Sequence, residues 1–325
     1  MYNLCCMCNA LKKTGSNHRA MRFTQFEKQE RTTALRTLGE RSLENLQTTL
    51  DTMKYAQSSG WGYRISSTLF PLFNLARANV SLYDLPNLEE INSKFKEIRE
   101  FNYQFAPSEF RISFHPDHFN VLCSSTPGVV DRSINELQHH GWLMDRMAGE
   151  ASRSYWYPLN IHMSRSSGDP QTIAREFIKN FDRLNDSVKS RLVLENEDKG
   201  VWSPDRLYNL IHKEIGIPIT YDNLHHKCNP GAWSTSEAFE RCCETWHAHE
   251  CTPLFHYSEG GANDNPRAHT DYAISTPLEF RKAHDTSVTE GVDVDWEIEL
   301  KAKDYAIQHI QESEAKHLKK ELIKS

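Results

Sequence analysis

Six short apolar segments in the last two thirds of the chain each end in a histidine, aspartate or glutamate, residue types that bind divalent cations. These segments are Arg111–His115, Pro158–His162, Arg191–Glu195, Ile217–Asp222, Pro253–His256 and Val292–Glu299. Their β-branched and apolar residues are typical of buried strands. Because the carboxyl ends of parallel strands meet at one rim of a barrel, the pattern predicts a multi-metal catalytic site at that rim.

Glu195 is the central candidate ligand, because the two oxygens of one carboxylate can bridge a pair of cations. It ends the run Arg-Leu-Val-Leu-Glu and precedes Asn-Glu-Asp, so a solvated acidic loop is the alternative interpretation. His115 and His162 are each open to interpretation as hydrogen-bonded structural histidines. Their shared position with Glu195, where an apolar run stops, favours metal ligation for both.

A second group of candidates follows the later strands. Asp222 precedes His225 by three residues, and this spacing directly after a strand can point two ligands into one site. His226 completes a doubled histidine, in which one partner often only supports the ligands. We predict His226 to be such a supporting residue or a wedge-like side chain, and His269, in the loop after the seventh strand, to complete a third site.

The remaining candidates at strand ends are His256, which ends Pro-Leu-Phe-His, and Glu299, which ends Asp-Trp-Glu-Ile-Glu. Because side chains alternate along a strand, Glu299 shares one face with Asp293, Asp295 and Glu297. Glu299 is nearest the C-terminal end and is therefore the predicted ligand. The other three acidic residues are predicted to face the helix layer or solvent.

The elements that must position these side chains alternate between strand and helix. Two earlier strands are predicted at Tyr2–Cys6 and Tyr63–Ser66, and a terminal helix at about 303–322. Eight strand–helix repeats favour an α/β fold, a (β/α)8 TIM barrel with the metal site at its C-terminal rim. We expect residues 1–325 to form this one domain.

The connection between the first two strands is long. Lys12–Arg22 is predicted to be a basic loop, and Thr24–Ser58 to be mostly helical. A break in this helix is predicted near Gly39, since glycine weakens a helix interior.

The composition is that of a folded protein without an overall basic surface. The 325 residues include 38 Lys and Arg against 44 Asp and Glu, a formal net charge of −6. Bound divalent cations would offset this charge at one place, so any nucleic-acid-binding surface would be local. No apolar run approaches the roughly 20 residues that span a bilayer, and no signal-peptide pattern is present. We therefore expect a cytoplasmic protein.

The ordered set of candidate residues resembles the UV damage endonucleases. The matching motifs are His115-Pro, Ile-His162, Leu-Glu195-Asn, Tyr-Asp222-Asn-Leu-His225-His226, Asn229-Pro230, Phe-His256-Tyr-Ser, Ala-His269 and Glu299-x-Lys301-x-Lys303. The resemblance extends from about Tyr2 to about Tyr305. It implies a TIM barrel related to endonuclease IV and xylose isomerase, and an enzyme that nicks duplex DNA immediately 5′ of ultraviolet photoproducts, leaving a 3′-hydroxyl and a 5′-phosphate.

The resemblance also implies two or three divalent ions, with manganese favoured over magnesium or zinc. The implied ligands are His115, His162 and Glu195 for one ion, Glu195, Asp222, His256 and Glu299 for the second, and His225 and His269 for the third. A bridged pair of ions can activate water and polarise a phosphate. Glu195 and Lys301 are the implied catalytic residues, with Lys301 in contact with phosphate; an ion pair with a carboxylate is the alternative interpretation for Lys301.

The family inserts two side chains from the loop after the third strand into the duplex at the lesion. His118 and Phe119 match those positions, and Cys6 and His226 complete the implied lesion-binding set. The chain departs from the family pattern in three places. Cys5, Cys6 and Ala10 replace a Gly-Tyr pair and an asparagine, Leu254 replaces a lysine found in some members, and Ser66–Thr68 lack a histidine that some members carry.

Damaged double-stranded DNA is the implied partner, and we expect a monomer with no membrane contact and no obligate protein partner. Two alternatives share the barrel. An endonuclease IV-like nuclease would need a pocket for one flipped abasic sugar, and a sugar isomerase or epimerase would leave His225 and His269 without a role.

Overall fold

The computed structural model describes residues 1–261, 265–285 and 293–324. Val292, the predicted start of the last strand, lies outside these ranges. Eight strands pair in parallel in one sheet, and each strand lies next to its neighbour in sequence. They are β1 (Tyr2–Cys5), β2 (Gly62–Ile65), β3 (Ile112–Phe114), β4 (Leu159–Ile161), β5 (Leu192–Glu195), β6 (Ile219–Thr220), β7 (Leu254–Tyr257) and β8 (Asp295–Ile298).

The barrel is completed between β6 and β7 by a bridge between Asp222 and His256. The backbone N–H of His256 donates a hydrogen bond to the Tyr221 carbonyl, at 2.9 Å. The predicted TIM-barrel fold is therefore confirmed, and the seam of the barrel is formed by two of the predicted metal ligands.

Helices surround the barrel. They are α1 (Asn9–Lys13), α2 (Phe23–Phe26), α3 (Arg31–Ser58), α4 (Leu88–Asn102), α5 (Pro127–Ala148), α6 (Pro170–Phe181), α7 (Asp186–Lys189), α8 (Pro204–Leu207), α9 (Lys213–Ile215), α10 (Asn223–Cys228), α11 (Thr235–His247), α12 (Pro277–His284) and α13 (Asp304–Lys324). Short 3₁₀ helices occur at Ala76–Ala78, Leu82–Asp84 and Glu150–Ser152, and a π-helical turn at Tyr208–His212 joins α8 to α9.

The strands are short and buried because helices cover the outside of the barrel and side chains fill its inside. All four residues of β5, Leu-Val-Leu-Glu, are buried. Polar side chains begin several of the helices that follow the strands: Asp169, Ser234 and Thr276 each accept a hydrogen bond from a backbone N–H of the first turn. Such caps fix where each helix begins and thus hold the loops of the C-terminal rim.

Two local predictions were wrong. The helix α3 runs through Gly39 without a break, and a side chain there would clash, since a Cβ would lie 2.1 Å from Oδ1 of Asn87. The amide of Asn87 also donates to the Gly39 carbonyl at 3.0 Å. Glycine at this position thus permits the close approach of the segment before α4. In the predicted basic loop Lys12–Arg22, the first two residues instead belong to α1.

Among the described residues, no helix is both long enough and apolar enough to cross a membrane.

Candidate metal centre

The C-terminal rim of the barrel holds the predicted ligands. His115 follows β3, His162 follows β4, Glu195 ends β5, Asp222 follows β6, His225 lies in α10, His256 lies in β7, His269 lies in the loop after β7 and Glu299 follows β8. Parallel strands that end at one rim bring together side chains that are far apart in sequence.

Glu195 lies at the middle of this group and is 1% exposed. Its Oε2 atom is 3.1 Å from Nε2 of His115 and 3.6 Å from Nε2 of His162. The amide of Asn160, two residues before His162 on β4, donates to the same oxygen at 2.5 Å. The other oxygen, Oε1, is 3.1 Å from Nδ1 of His225. The carboxylate therefore faces ligand candidates on two sides, as a bridging ligand must.

Asp222 and His225 are positioned by one local structure, the start of α10. The Oδ1 atom of Asp222 accepts a hydrogen bond from the His225 backbone N–H at 2.7 Å and so caps the helix. The side chain of Asn196 holds the backbone of Asp222 through two hydrogen bonds of 2.8 and 3.1 Å. The Asp-x-x-His spacing thus places both side chains at the same site because the first residue caps the helix that carries the second.

The last ligands come from β7, β8 and the loop between them. Nδ1 of His256 is 3.1 Å from Glu195 and 3.5 Å from Oε1 of Glu299. Nδ1–H of His269 donates to the backbone carbonyl of Glu299, at 2.6 Å, and Nε2 of His269 is 3.8 Å from Oε2 of the same residue. His269 therefore meets the cluster at Glu299, at the carboxylate oxygen other than the one that faces His256.

Three overlapping groups in this cluster have ligand atoms close enough to hold a metal ion. The groups are His115, His162 and Glu195; Glu195, Asp222 and His225; and Asp222, His256 and Glu299, each with ligand atoms within 4.8 Å of one another. Among the described residues, Oδ2 of Asp222 and Nδ1 of His256 are buried without a hydrogen-bond partner. Unpaired buried atoms of this kind are unfavourable unless a cation satisfies them, so the residues present fit divalent metal ions.

The charges of the cluster also favour a bound cation. Burial would raise the pKa of Glu195, but His256 and His162 hold it well below its usual value. The pKa of Glu299 is likewise held well below its usual value, against burial, by Arg64 and His256. Burial alone would lower the pKa of His256, but these carboxylates raise it well above its usual value. The buried carboxylates therefore stabilise positive charge at this rim.

The structure corrects the prediction for two acidic residues of the last strand. Asp295 and Glu297 do not face the helix layer or solvent; both are buried inside the barrel, whereas Asp293 is exposed. Asp295 binds the N-terminal amine at 2.9 Å and Arg111 at 3.2 Å. The strand face that these residues share with Glu299 is the inner one, because helices cover the outer face.

Glu297 lies directly beneath the cluster. Its Oε2 is 3.0 Å from Nε2 of His256 and 2.9 Å from the guanidinium of Arg64, and Ser113 donates to its other oxygen. Arg64 also contacts Glu299. Against the effect of burial, Arg64 and His256 lower the pKa of Glu297 to about 2. Glu297 is therefore a fixed negative charge that orients His256 from below.

The family of the chain follows from comparison with known proteins. The family model UV-endonuclease UvdE matches residues 2–322. The chain belongs to this UV-endonuclease family. It is 31% identical to the UV DNA damage endonuclease of Nostoc sp. over 89% of this chain and 83% of that protein. It is 30% identical to the UV DNA damage endonuclease of Bacillus velezensis over 90% of this chain and 86% of that protein.

The fold of the family is also that of this chain. The crystal structure of SacUVDE superposes with a TM-score of 0.76 at 25% identity, covering 96% of this chain and 98% of that chain. The predicted resemblance to UV damage endonucleases is thus confirmed, and with it the class of DNA repair endonucleases on a TIM barrel.

In this family member, the loop after β3 carries two exposed rings next to the cluster. The side chain of His118 is 68% exposed and Phe119 is 73% exposed. Their ring centroids are 4.2 Å apart, with 39° between the ring planes. A cavity of about 900 Å³ is lined by both residues and reaches His162 and His225. The two rings therefore stand at the mouth of a space that leads to the predicted ligands.

Three other residues of the predicted site lie outside the cluster. Cys6 follows β1 in the left-handed region, with φ of 65°, and its N–H donates to the Arg64 carbonyl at 2.8 Å. Lys301 is exposed after β8, and the structure gives its side chain no hydrogen bond or ion pair to a described residue. His226 is buried against the ring of Tyr221, 5.4 Å away, and burial lowers its pKa to about 4. His226 points into the protein and is not a residue that we propose to contact DNA.

The sequence analysis missed three residues of the centre: Asn160, Glu297 and Arg64. Asn160 and Glu297 each precede a predicted ligand by two residues on a strand, so the period-two rule places them on the same inner face. Arg64 is a charged residue within a short buried strand, which requires a carboxylate partner inside the barrel. For Glu297 the shared face was predicted, but it was predicted to point to the helix layer or solvent and not into the barrel.

Proposed function

We propose that the chain is a metal-dependent endonuclease that nicks duplex DNA immediately 5′ of ultraviolet photoproducts, leaving a 3′-hydroxyl and a 5′-phosphate. The observation that carries this proposal is the Glu195-centred cluster at the rim, next to the exposed His118–Phe119 pair. Membership of the UV-endonuclease family and the similarity to two UV DNA damage endonucleases support it.

The proposed centre binds two or three divalent ions, with manganese the favoured metal and magnesium or zinc as alternatives. His115, His162 and Glu195 hold one ion, and Glu195 with Asp222, His256 and Glu299 holds the second. A third ion would be reached by His225 and His269, whose side chains are 16% and 26% exposed. When bound, such ions supply Lewis-acid activation of water and of the scissile phosphate. The mixed histidine and carboxylate donors suit this choice of metals.

In this proposal, the ligand side chains hold the ions in place, and neighbouring residues hold the ligand side chains. The buried carboxylate of Glu195 keeps its charge because histidines surround it, so it can serve as the shared ligand. Asn160 and Glu297 fix the orientations of Glu195 and His256 by direct hydrogen bonds. Lys301 is exposed at the rim without an internal partner among the described residues, so its ammonium is available to a DNA phosphate.

Lesion recognition is proposed for His118 and Phe119, with Cys6 in the damage pocket. A photoproduct is already poorly stacked, so extruding it requires less free energy than extruding a normal base pair. Two adjacent side chains can then occupy the space in the duplex. The 900 Å³ cavity beside them connects this position with His162 and His225.

The charge distribution provides a local surface for the DNA backbone. Residues 1–26 contain Lys12, Lys13, Arg19 and Arg22 and no Asp or Glu, although the chain as a whole has a net charge of −6. Asp304 caps α1 by accepting from the backbone of Asn9 and Ala10, at 2.6 and 3.0 Å, and so holds this segment at the rim. We propose that this segment contacts phosphates. We further propose that residues 1–325 act inside the cell as one barrel domain and as a monomer.

The test is a nicking assay on a labelled duplex that carries one defined photoproduct, with undamaged and abasic duplexes as controls. A cut just 5′ of the photoproduct that requires added manganese and stops in EDTA is the expected result. Cutting only at the abasic site would favour an endonuclease IV-like nuclease instead. Metal binding without any cutting would favour a sugar isomerase or epimerase on the same barrel.

A further inference from the structure

A second exposed apolar position lies on the loop after β7. Ile274 is 96% exposed, and no large apolar side chain among the described residues is more exposed. Tyr272, two residues earlier, is 46% exposed, while Ala273 between them is buried at 6%. The buried side chain of Ala273 thus anchors the loop, and the side chains of Tyr272 and Ile274 on either side of it are exposed to solvent.

The backbone of this loop is held in place by hydrogen bonds. The carboxylate of Glu259 accepts from the N–H of Ile274 at 2.8 Å, and from the N–H and hydroxyl of Ser275, both at 2.9 Å. The N–H of Lys301 donates to the Thr270 carbonyl at 3.0 Å, which ties the loop to the turn after β8. The exposed isoleucine is therefore presented by an ordered backbone, and ordering it requires little further entropy on binding.

The loop of Ile274 lies across the barrel from the wedge, the name used for the His118–Phe119 pair that is proposed to enter the duplex. In a barrel of eight strands in sequential order, β3 and β7 lie opposite each other. Ile274 and the His118–Phe119 pair therefore extend from opposite sides of the same rim, with the metal-ligand cluster between them. Lys301 lies on the turn tied to that loop, so this side of the rim also has an ammonium group suited to a phosphate.

We propose that Ile274, supported by Tyr272, is a second apolar contact for the damaged duplex, across the metal centre from His118–Phe119. This proposal rests on the proposed function. An aliphatic side chain inserted at a base step unstacks it and bends the duplex, and it is stabilised by removal of its surface from water. Contacts on both sides of the cluster would hold the duplex bent over the ligands.

The test is equilibrium binding of the full chain to a labelled duplex with one cyclobutane dimer, with calcium in place of manganese to suppress cutting. Ile274→Ser is compared with Ile274→Leu and with Leu318→Ser, a matched change at a 48% exposed leucine on α13. We expect Ile274→Ser to weaken binding about tenfold or more, while Ile274→Leu retains it and Leu318→Ser has no effect. The slope of affinity against salt concentration should stay unchanged, because no phosphate contact is lost.

Native affinity of Ile274→Ser for the photoproduct duplex would overturn the proposal. So would a change of oligomeric state in Ile274→Ser, measured by light scattering, since this would identify the loop as a contact between copies of the chain. Failure of the proposed function is a separate result: the unmodified chain would then bind photoproduct and undamaged duplexes equally.

Discussion

Oε2 of Glu297 lies 3.0 Å from Nε2 of His256, inside the barrel and beneath the metal-ligand cluster. Because Nε2 is held there, the other ring nitrogen faces Glu195 at 3.1 Å and Glu299 at 3.5 Å. Glu297 also binds Arg64, whose guanidinium would otherwise be opposed by Glu299 alone. One buried carboxylate thus orients a proposed ligand and shares the charge of Arg64 with Glu299.

The first prediction follows from this contact. Glu297→Gln should weaken manganese binding by about 10- to 100-fold, because His256 loses a charged acceptor and the charge of Arg64 is then balanced by Glu299 alone. Isothermal titration calorimetry measures the change. Ser113→Ala is the matched control, since it removes a different hydrogen bond to Glu297 and leaves the contacts with His256 and Arg64 intact. Equal manganese affinity in both variants and the native chain would contradict this role.

The second prediction concerns the wedge. His118→Ala combined with Phe119→Ala should weaken binding to a photoproduct duplex and slow nicking, since both rings are exposed at the mouth of the cavity. Manganese binding should stay unchanged, because neither side chain belongs to a group of metal-ligand candidates. Binding is measured by fluorescence anisotropy and metal content by elemental analysis. A double variant that nicks irradiated DNA at the native rate would show that the wedge lies elsewhere.

The third prediction tests the basic N-terminal segment. DNA affinity should fall steeply with salt, because phosphate contacts release counterions. Lys12→Gln should reduce the slope of log affinity against log salt by about 1 if this ammonium contacts one phosphate. Lys179→Gln, an exposed lysine in the last turn of α6, is the control and should leave the slope unchanged. Identical slopes in both variants would exclude Lys12 from the DNA-binding surface.

Much of the fold could be predicted from the sequence because a parallel barrel repeats one simple pattern. Runs such as Leu192–Glu195 are apolar and end in a predicted ligand. One pattern therefore indicated the strand, the position of its end at the rim and the metal site. Gly39 was misread because its role depends on Asn87, a contact 48 residues away. Asp295 and Glu297 were placed outside because acidic residues are seldom buried without partners, and their partners are far away in sequence, Arg111 directly before β3 and Arg64 on β2. The roles of the ligands remain predictions.

The fourth prediction concerns pH and Glu136 on α5, which lines the cavity beside the wedge. Burial raises the pKa of Glu136 from 4.5 to about 7. The folded protein therefore favours the neutral carboxyl of Glu136. This contribution to the free energy of unfolding is fully present below the unfolded-state pKa and is lost as the pH rises through about 7. Glutamine does not ionise, so Glu136→Gln does not lose this contribution as the pH rises. The unfolding temperature of the variant minus that of the native chain should therefore be larger at about pH 8 than at about pH 4.

Differential scanning calorimetry at both pH values measures the effect of Glu136→Gln. Glu40→Gln, an exposed glutamate in the interior of α3, is the control and should change the unfolding temperature little at either pH. A pH-independent difference for Glu136→Gln would contradict the raised pKa.

The most direct test of the central claim, that a centre bridged by Glu195 cuts damaged DNA, compares the native chain with Glu195→Gln under single-turnover conditions. The measurement records the nicking of a photoproduct duplex and the bound manganese in the same samples. We predict that Glu195→Gln loses bound manganese and nicking together, because both oxygens of this carboxylate face ligand groups. Nicking by Glu195→Gln at the native rate would contradict the account.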